Sequence, residues 1–259
     1  MRISEHITAL KRPYKGIETT VLLVRTPLGA VLFDAASYEE DIREGVLPWL
    51  TEQGIAVGEV KYVFISHDHA DHAGGLPTLL ECLPHLRVVT QSVALRDKYG
   101  AGCVHIAGAG EMLLDCLQVV SIPGHTADSA ALLDTRDGTL ICGDCLQLHG
   151  IFGQGKWGAN VPYPTEHRLA IARLREMPIE TVVTAHDYYP MGEIYRGREE
   201  IAAALDACLA PLDRIEGLIA EFPELGDEAI CAIYNEAPMT PTLGSHVVKA
   251  VRRGVRRVF

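Results

Sequence analysis

Long apolar runs are missing from this chain. No stretch approaches the roughly 18–20 residues a membrane span needs, and the richest, Ala202–Phe222, is broken by Asp206, Asp213, Arg214 and Glu216. The opening residues, MRISEHITALKRPYKG, hold no continuous apolar segment of the kind a secretory signal requires. Aromatic residues are scarce at 6%, yet 48% hydrophobic and 22% charged residues are ordinary for a globular protein and exclude collagen-like and disordered chains. Cysteine is also limited to seven scattered positions, an odd number that argues against a disulfide framework. These features predict a cytoplasmic protein. The net charge of −11 disfavours non-specific nucleic-acid binding. Acidic residues are absent from 249–259, which hold Lys249, Arg252, Arg253, Arg256 and Arg257.

The 259 residues suffice for one full hydrophobic core and an appendage. Alternation and turn signals predict strands over Thr20–Arg25 and Ala30–Asp34, joined at Thr26-Pro27-Leu28-Gly29. A helix over Tyr38–Gln53, a strand over Lys61–Ser66 and a helix entered at Gly74-Gly75 follow. Leu86–Thr90 and Gln118–Ser121 read as strands, and Ala130–Leu133 with Thr139–Cys142 as a second hairpin. Thr165–Met177 reads as a helix and Thr181–Thr184 as a strand; beyond Gly192 the pattern is helical. A mixed α/β domain over 1–192 and a helical appendage over 193–259 are therefore expected. An internal echo supports two similar halves. VLLVRTPLGAVLFDAA (Val21–Ala36) aligns without gaps on AALLDTRDGTLICGDC (Ala130–Cys145), and VKYVFISHD (Val60–Asp68) on IETVVTAHD (Ile179–Asp187). Each half then delivers polar residues from strand ends, where α/β folds place their sites.

The strongest chemical signal is His67-Asp68-His69-Ala70-Asp71-His72, which places His67, His69, Asp71 and His72 as four potential metal ligands within six residues directly after an apolar strand. Packed together, those imidazoles and carboxylates would repel or stay unpaired unless a cation joined them. His67 and His69 alternate in an extended segment and can point the same way, while Asp71 and His72 lie past the bend and can serve a second ion. His125, Asp144 and His186 each close a strand beside small residues.

This pattern resembles that of the metallo-β-lactamase-fold hydrolase superfamily over residues 17–190. The resemblance implies an α/β fold, an αββα sandwich with a two-metal site at one edge, here followed by the helical appendage. It implies that His67, His69 and His125 hold a first metal, that Asp71, His72 and His186 hold a second, and that Asp144 bridges both. Asp34, at the matching strand end of the first half, would orient a ligand. Two divalent ions, zinc by its preference for such ligands or else iron or manganese, would share a hydroxide that attacks the substrate, with Asp71 as proton acceptor.

Within the superfamily, glyoxalase II-type thioesterases share this ligand set and a helical C-terminal part, and lactonases are also similar. The Tyr that lactonases often place after the bridging Asp is replaced here by Cys145, Leu146, Gln147 and Leu148. The expected function is hydrolysis of an ester, thioester or lactone. The alternatives are phosphodiester hydrolysis and a metal-binding regulatory or interaction protein without turnover. The expected partner is a small-molecule substrate, with neither nucleic acid nor membrane, and homo-oligomerisation stays open.

The loop His149–Asn160 follows Asp144 closely, and Phe152, Lys156 and Trp157 are its candidates for substrate contact. Cys142-Gly143-Asp144-Cys145 matches a redox C-x-x-C, but Asp144 is committed elsewhere. His6, His85, His105, His149, His167 and His246 are expected mostly at the surface. The basic C-terminal residues gather on one face of a helix docked by its valines. That face either is solvated or recruits an anionic substrate group, a carboxylate or phosphate, or an acidic neighbouring subunit.

Overall fold

The computed structural model describes residues 1–147, 159–188, 191–237 and 242–255. Two six-stranded sheets are stacked face to face. The first contains, in spatial order, β1 (Ile7–Tyr14), β2 (Ile17–Thr26), β3 (Gly29–Phe33), β4 (Val60–Ile65), β5 (Arg87–Thr90) and β6 (Val104–Ile106). The second runs from β12 (Gly192–Arg196) through β11 (Thr181–Tyr188), β10 (Thr139–Gly143), β9 (Ala130–Asp134) and β8 (Leu117–Ser121) to β7 (Met112–Leu113). Helices α1 (Leu47–Glu52), α3 (Leu76–Cys82) and α4 (Val93–Tyr99) follow strands of the first sheet. Helix α5 (Pro164–Leu174) packs on the second. The short α2 (Ala70–Ala73) precedes α3, and α6 (Gly197–Glu221), α7 (Asp227–Asn235) and α8 (Ser245–Val255) close the described chain.

Burial explains the continuous apolar runs of the central strands. Leu22, Val24, Phe33 and Phe64 face the second sheet's Leu132, Ile141 and Val183 between the layers. Their neighbours Val21, Leu23, Leu32 and Val63 point the other way, onto Leu50, Leu76 and Leu79. On the second sheet Leu140, Cys142 and Val182 pack on Ile171, Leu174 and Leu205 of α5 and α6. The central strands are covered on both faces, so they do not alternate with polar residues. The architecture is the αββα sandwich with C-terminal helices.

The echo in the sequence has a structural counterpart. In the first half β2 and β3 form an antiparallel hairpin and β4 lies parallel to β3. In the second half β9 and β10 form the hairpin and β11 lies parallel to β10.

Two local readings need correction. Residues after Gly192 are not helical throughout, because Gly192–Arg196 is an edge strand antiparallel to β11. Only two apolar residues, Ile194 and Tyr195, mark it, too few to show a period of two. Strand β1 was also hidden, since Lys11, Arg12 and Pro13 interrupt its alternation, and it is held by eight residue pairs to β2. At the C-terminus Val247, Val248 and Val251 are buried against Leu212, Ile215 and Tyr234, and Lys249 and Arg253 are exposed. Arg252 is paired with Asp227 at 2.7 Å, and Arg256 and Arg257 lie outside the described residues. No described helix is long and apolar enough to cross a membrane.

Candidate metal centre

Strand β4 ends at Ile65, and its parallel neighbour β3 ends at Phe33. The next residue of each strand makes the first link of the site. Asp34 adopts the left-handed conformation (φ 63°), which turns its carboxylate back across the sheet edge. Its Oδ1 accepts from the Ser66 N–H at 2.8 Å, and its Oδ2 accepts from Ser66 Oγ at 3.0 Å and from His72 Nδ1 at 2.7 Å. With its proton given to Asp34, Ser66 Oγ accepts from His67 Nδ1 at 3.0 Å. One buried carboxylate thus sets the orientation of His67 through Ser66 and of His72 by direct contact, leaving Nε2 of both rings directed inward.

The other histidines are oriented by main-chain carbonyls. His125 Nδ1 donates to Asn160 O at 2.9 Å, and His186 Nδ1 donates to Glu18 O at 2.7 Å. Their Nε2 lone pairs also face the centre. His69 caps α2 and contributes Nδ1, 2.9 Å from His125 Nε2.

Two groups result, one of His67, His69 and His125 and the other of Asp71, His72, Asp144 and His186. Asp144, delivered by the end of β10, stands between them. It lies 3.0 Å from His186 Nε2, 3.6 Å from His72 Nε2 and 3.8 Å from His125 Nε2. Gly143 permits this approach, because its φ is +53° and a Cβ there would fall 2.7 Å from Ser66 Oγ. Asp71 Oδ2 is 3.5 Å from both His72 and His186 Nε2.

The charge balance fits a cation. His67 Nε2 and His72 Nε2 are buried without a hydrogen-bond partner, a costly condition that a metal ion would relieve. Burial, with His72 and His125 nearby, holds His67 well below the usual imidazole range, and burial also lowers His125. Both therefore present lone pairs at neutral pH. In the second group burial opposes charge, but Asp34 and Asp144 outweigh it at His72, and Asp144 and Asp71 raise His186 to about 9. Burial would raise Asp71 and Asp144, yet the neighbouring histidines keep both carboxyls well below the ordinary range. The second group thus gathers positive charge, as protons or as a cation.

All seven ligands expected from the sequence, and Asp34 beside them, converge at this edge. Phe152, Lys156 and Trp157 lie outside the described residues. Asp68 and Asp187 are exposed. Cys142 and Cys145 are free and buried, with Sγ directed to Val183 O and Ala130 O, and burial pushes both thiols up, away from the reactive thiolate. A groove of about 500 Å³ opens beside His69 and His125, with Asp128, Tyr163 and His246 on its walls.

Comparison with known families settles the affiliation, since the metallo-beta-lactamase superfamily model matches residues 15–186. The chain belongs to the metallo-beta-lactamase superfamily. Among curated members it is 29% identical over 164 residues to a hydroxyacylglutathione hydrolase of Parasynechococcus marenigrum (strain WH8102), covering 60% of this chain and 62% of that one. It is 35% identical over 130 residues to a hydroxyacylglutathione hydrolase of Xylella fastidiosa (strain M12), covering 49% and 46%. An uncharacterized protein of Bacillus subtilis (strain 168) is 33% identical over 132 residues, covering 40% and 54%. The chain thus spans about half the length of the curated relatives it matches. A metallo-beta-lactamase family protein from Thermus thermophilus superposes with a TM-score of 0.68 at 18% identity, covering 98% of this chain and 94% of that one. The rubredoxin oxygen:oxidoreductase of Desulfovibrio gigas superposes at 0.65 and 17% identity, covering 97% and 74%. These two likenesses show the metallo-beta-lactamase fold.

Several supporting residues carry no signal in the sequence. Ser66 looks like the last residue of a strand, and Asn160 orients His125 through a carbonyl that any residue possesses. His167 was expected at the surface and is instead fully buried in α5, its ring pressed against Gly124, where a Cβ would fall 2.3 Å from Nδ1. Burial, with His125 and Arg168 nearby, lowers its pKa to about 4. The unfolded chain binds this proton near 6.5 and the native protein does not. His167 therefore costs stability progressively as pH falls from 6.5 towards 4. Chemical denaturation of His167→Leu should show a shallower acid slope than the parent, by up to about 3 kcal/mol across that interval. Parallel slopes would refute the neutral, buried state.

Proposed function

We propose that the protein is a dinuclear metal-dependent hydrolase acting on an ester, thioester or lactone, with thioesters foremost. The observation that carries this reading is the pair of ligand groups that share Asp144, three histidines on one side and Asp71, His72 and His186 on the other. His67, His69 and His125 would hold one divalent ion, Asp71, His72 and His186 the other, with Asp144 bridging. Zinc suits these nitrogen and oxygen donors, and iron and manganese are the alternatives. The hydroxyacylglutathione hydrolase relatives support the thioester class. The cytoplasm is the compartment this reading assumes.

Bound divalent ions would supply Lewis acidity at the scissile carbonyl and an activated water. The chain supplies the rest. Asp34 and Ser66 fix the tautomers of His72 and His67, and the carbonyls of Asn160 and Glu18 fix those of His125 and His186. Asp71, kept ionised at neutral pH and reachable from solvent at 13% exposure, accepts the proton released as the substrate is attacked. The groove beside His69 and His125 receives the acyl or leaving group.

Elemental analysis under metal-replete conditions should give about two ions per chain, falling towards one in Asp144→Ala, because the shared carboxylate is gone. A panel of ester, thioester, lactone and phosphodiester substrates should show thioester turnover. One ion per parent chain overturns the dinuclear reading. Turnover confined to phosphodiesters, or none with two ions bound, replaces the proposed reaction with the corresponding alternative.

A further inference from the structure

Residues 159–162 run between the metal centre and the C-terminal helices, and their side chains face both. Val161 is buried among Leu212, Val247 and Val248. Its neighbour Asn160 uses three polar groups at once. Asn160 O accepts from His125 Nδ1 at 2.9 Å. The Asn160 N–H donates to Gln147 Oε1 at 3.0 Å, and Gln147 Nε2 donates in turn to the Asp144 carbonyl, also at 3.0 Å. Asn160 Oδ1 accepts from His246 Nε2 at 2.9 Å. The imidazole of His246 has a prepared seat, because a Cβ on Gly244 would fall 2.6 Å from its Nδ1.

We infer that Asn160 is a positioning residue through which His246, on the first turn of α8, holds His125 in its inward orientation. This rests on the reading above that His125 serves a bound metal ion. The physical reason is that a carbonyl orients a ring only as well as its own peptide is held. A main-chain segment at a site edge, away from any strand, has no ladder to hold it. Here the Gln147 clasp holds the peptide from the Asp144 side and His246 holds it from α8. Both ends of the clasp reach ligand residues, so His125 and Asp144 are set by one connected network. The C-terminal helices are thus part of the metal centre, although they supply none of its seven ligands.

The test uses His246→Ala, Asn160→Ala, the double variant and His246→Gln, whose amide can still donate to Asn160 Oδ1. Zinc affinity is measured by chelator competition, and the ligand field by the absorption spectrum of the cobalt-substituted protein. Loss of an outer partner typically weakens metal binding about 10–100-fold. Each alanine variant should weaken the zinc that His67, His69 and His125 would hold by about tenfold, at the lower end of that range, and shift the cobalt spectrum. The double variant should match either single one, and His246→Gln should restore affinity and spectrum. The metal-free melt of His246→Ala should stay near that of the parent, because the ring is exposed. Unchanged affinity and spectrum in both single variants, or losses that multiply in the double variant, overturn the relay while leaving the dinuclear reading intact. A parent protein that takes up no zinc overturns both.

Discussion

Asp71→Asn should lower turnover by about 10²–10⁴-fold, the range for removal of a positioned proton acceptor, while the metal-free protein keeps a cooperative melt. The change is nearly isosteric and lies on α2, outside both sheets. Its carboxylate lies 3.5 Å from Nε2 of both His72 and His186, and their attraction keeps it ionised, so the variant should melt at a lower temperature but still cooperatively, because both sheet cores are untouched. An amide retains the shape but neither carries the charge nor accepts a proton. Steady-state kinetics with a thioester, paired with a thermal melt after chelation, separates the two effects. Near-parental turnover in Asp71→Asn would remove it from the reaction, and loss of the cooperative melt would assign it to the fold.

Gly75→Ala should destabilise the protein by roughly 3 kcal/mol or more. A Cβ at Gly75 would fall 2.2 Å from the Ala35 carbonyl and 2.8 Å from Ile42 Cγ1. The nearer atom is backbone and belongs to the segment Asp34–Ala36, which is itself pinned by the Ala35 N–H donating to His72 O at 2.7 Å. Relief therefore requires the Asp34 turn or the start of α3 to move, and either movement pulls on the ring held by Asp34 Oδ2. Gly58→Ala is the control, because a Cβ there meets nothing within 4 Å, and its effect should stay within about 0.5 kcal/mol. Urea unfolding midpoints read the comparison. Equal midpoints for the two variants would show that the Asp34 turn yields cheaply and is not a rigid support.

The amino-acid sequence alone determined the two halves, the central strands and flanking helices of each and the seven candidate ligands. Those features are local. A buried strand betrays itself by an unbroken apolar run, as at Val21–Val24, and a polar cluster such as His67–His72 directly after such a run has no apolar use. The placement of His125, Asp144 and His186 in one group or the other was legible only through family resemblance, because nothing in their spacing says which cluster each joins.

Tertiary structure decided the supports. Strand β12 exists because β11 offers it an edge, and its own residues show no clear period. His167 is buried because Gly124 leaves room for a ring, a fact carried by a residue 43 positions away. Ser66 matters through a hydroxyl caught between Asp34 and His67, and Asn160 through a carbonyl that no side chain encodes. Side-chain chemistry is written in the residue names, whereas orientation by backbone groups arises only when distant segments meet. The residues that converge at the candidate metal centre could therefore be named from the sequence, and the framework that aims them could not.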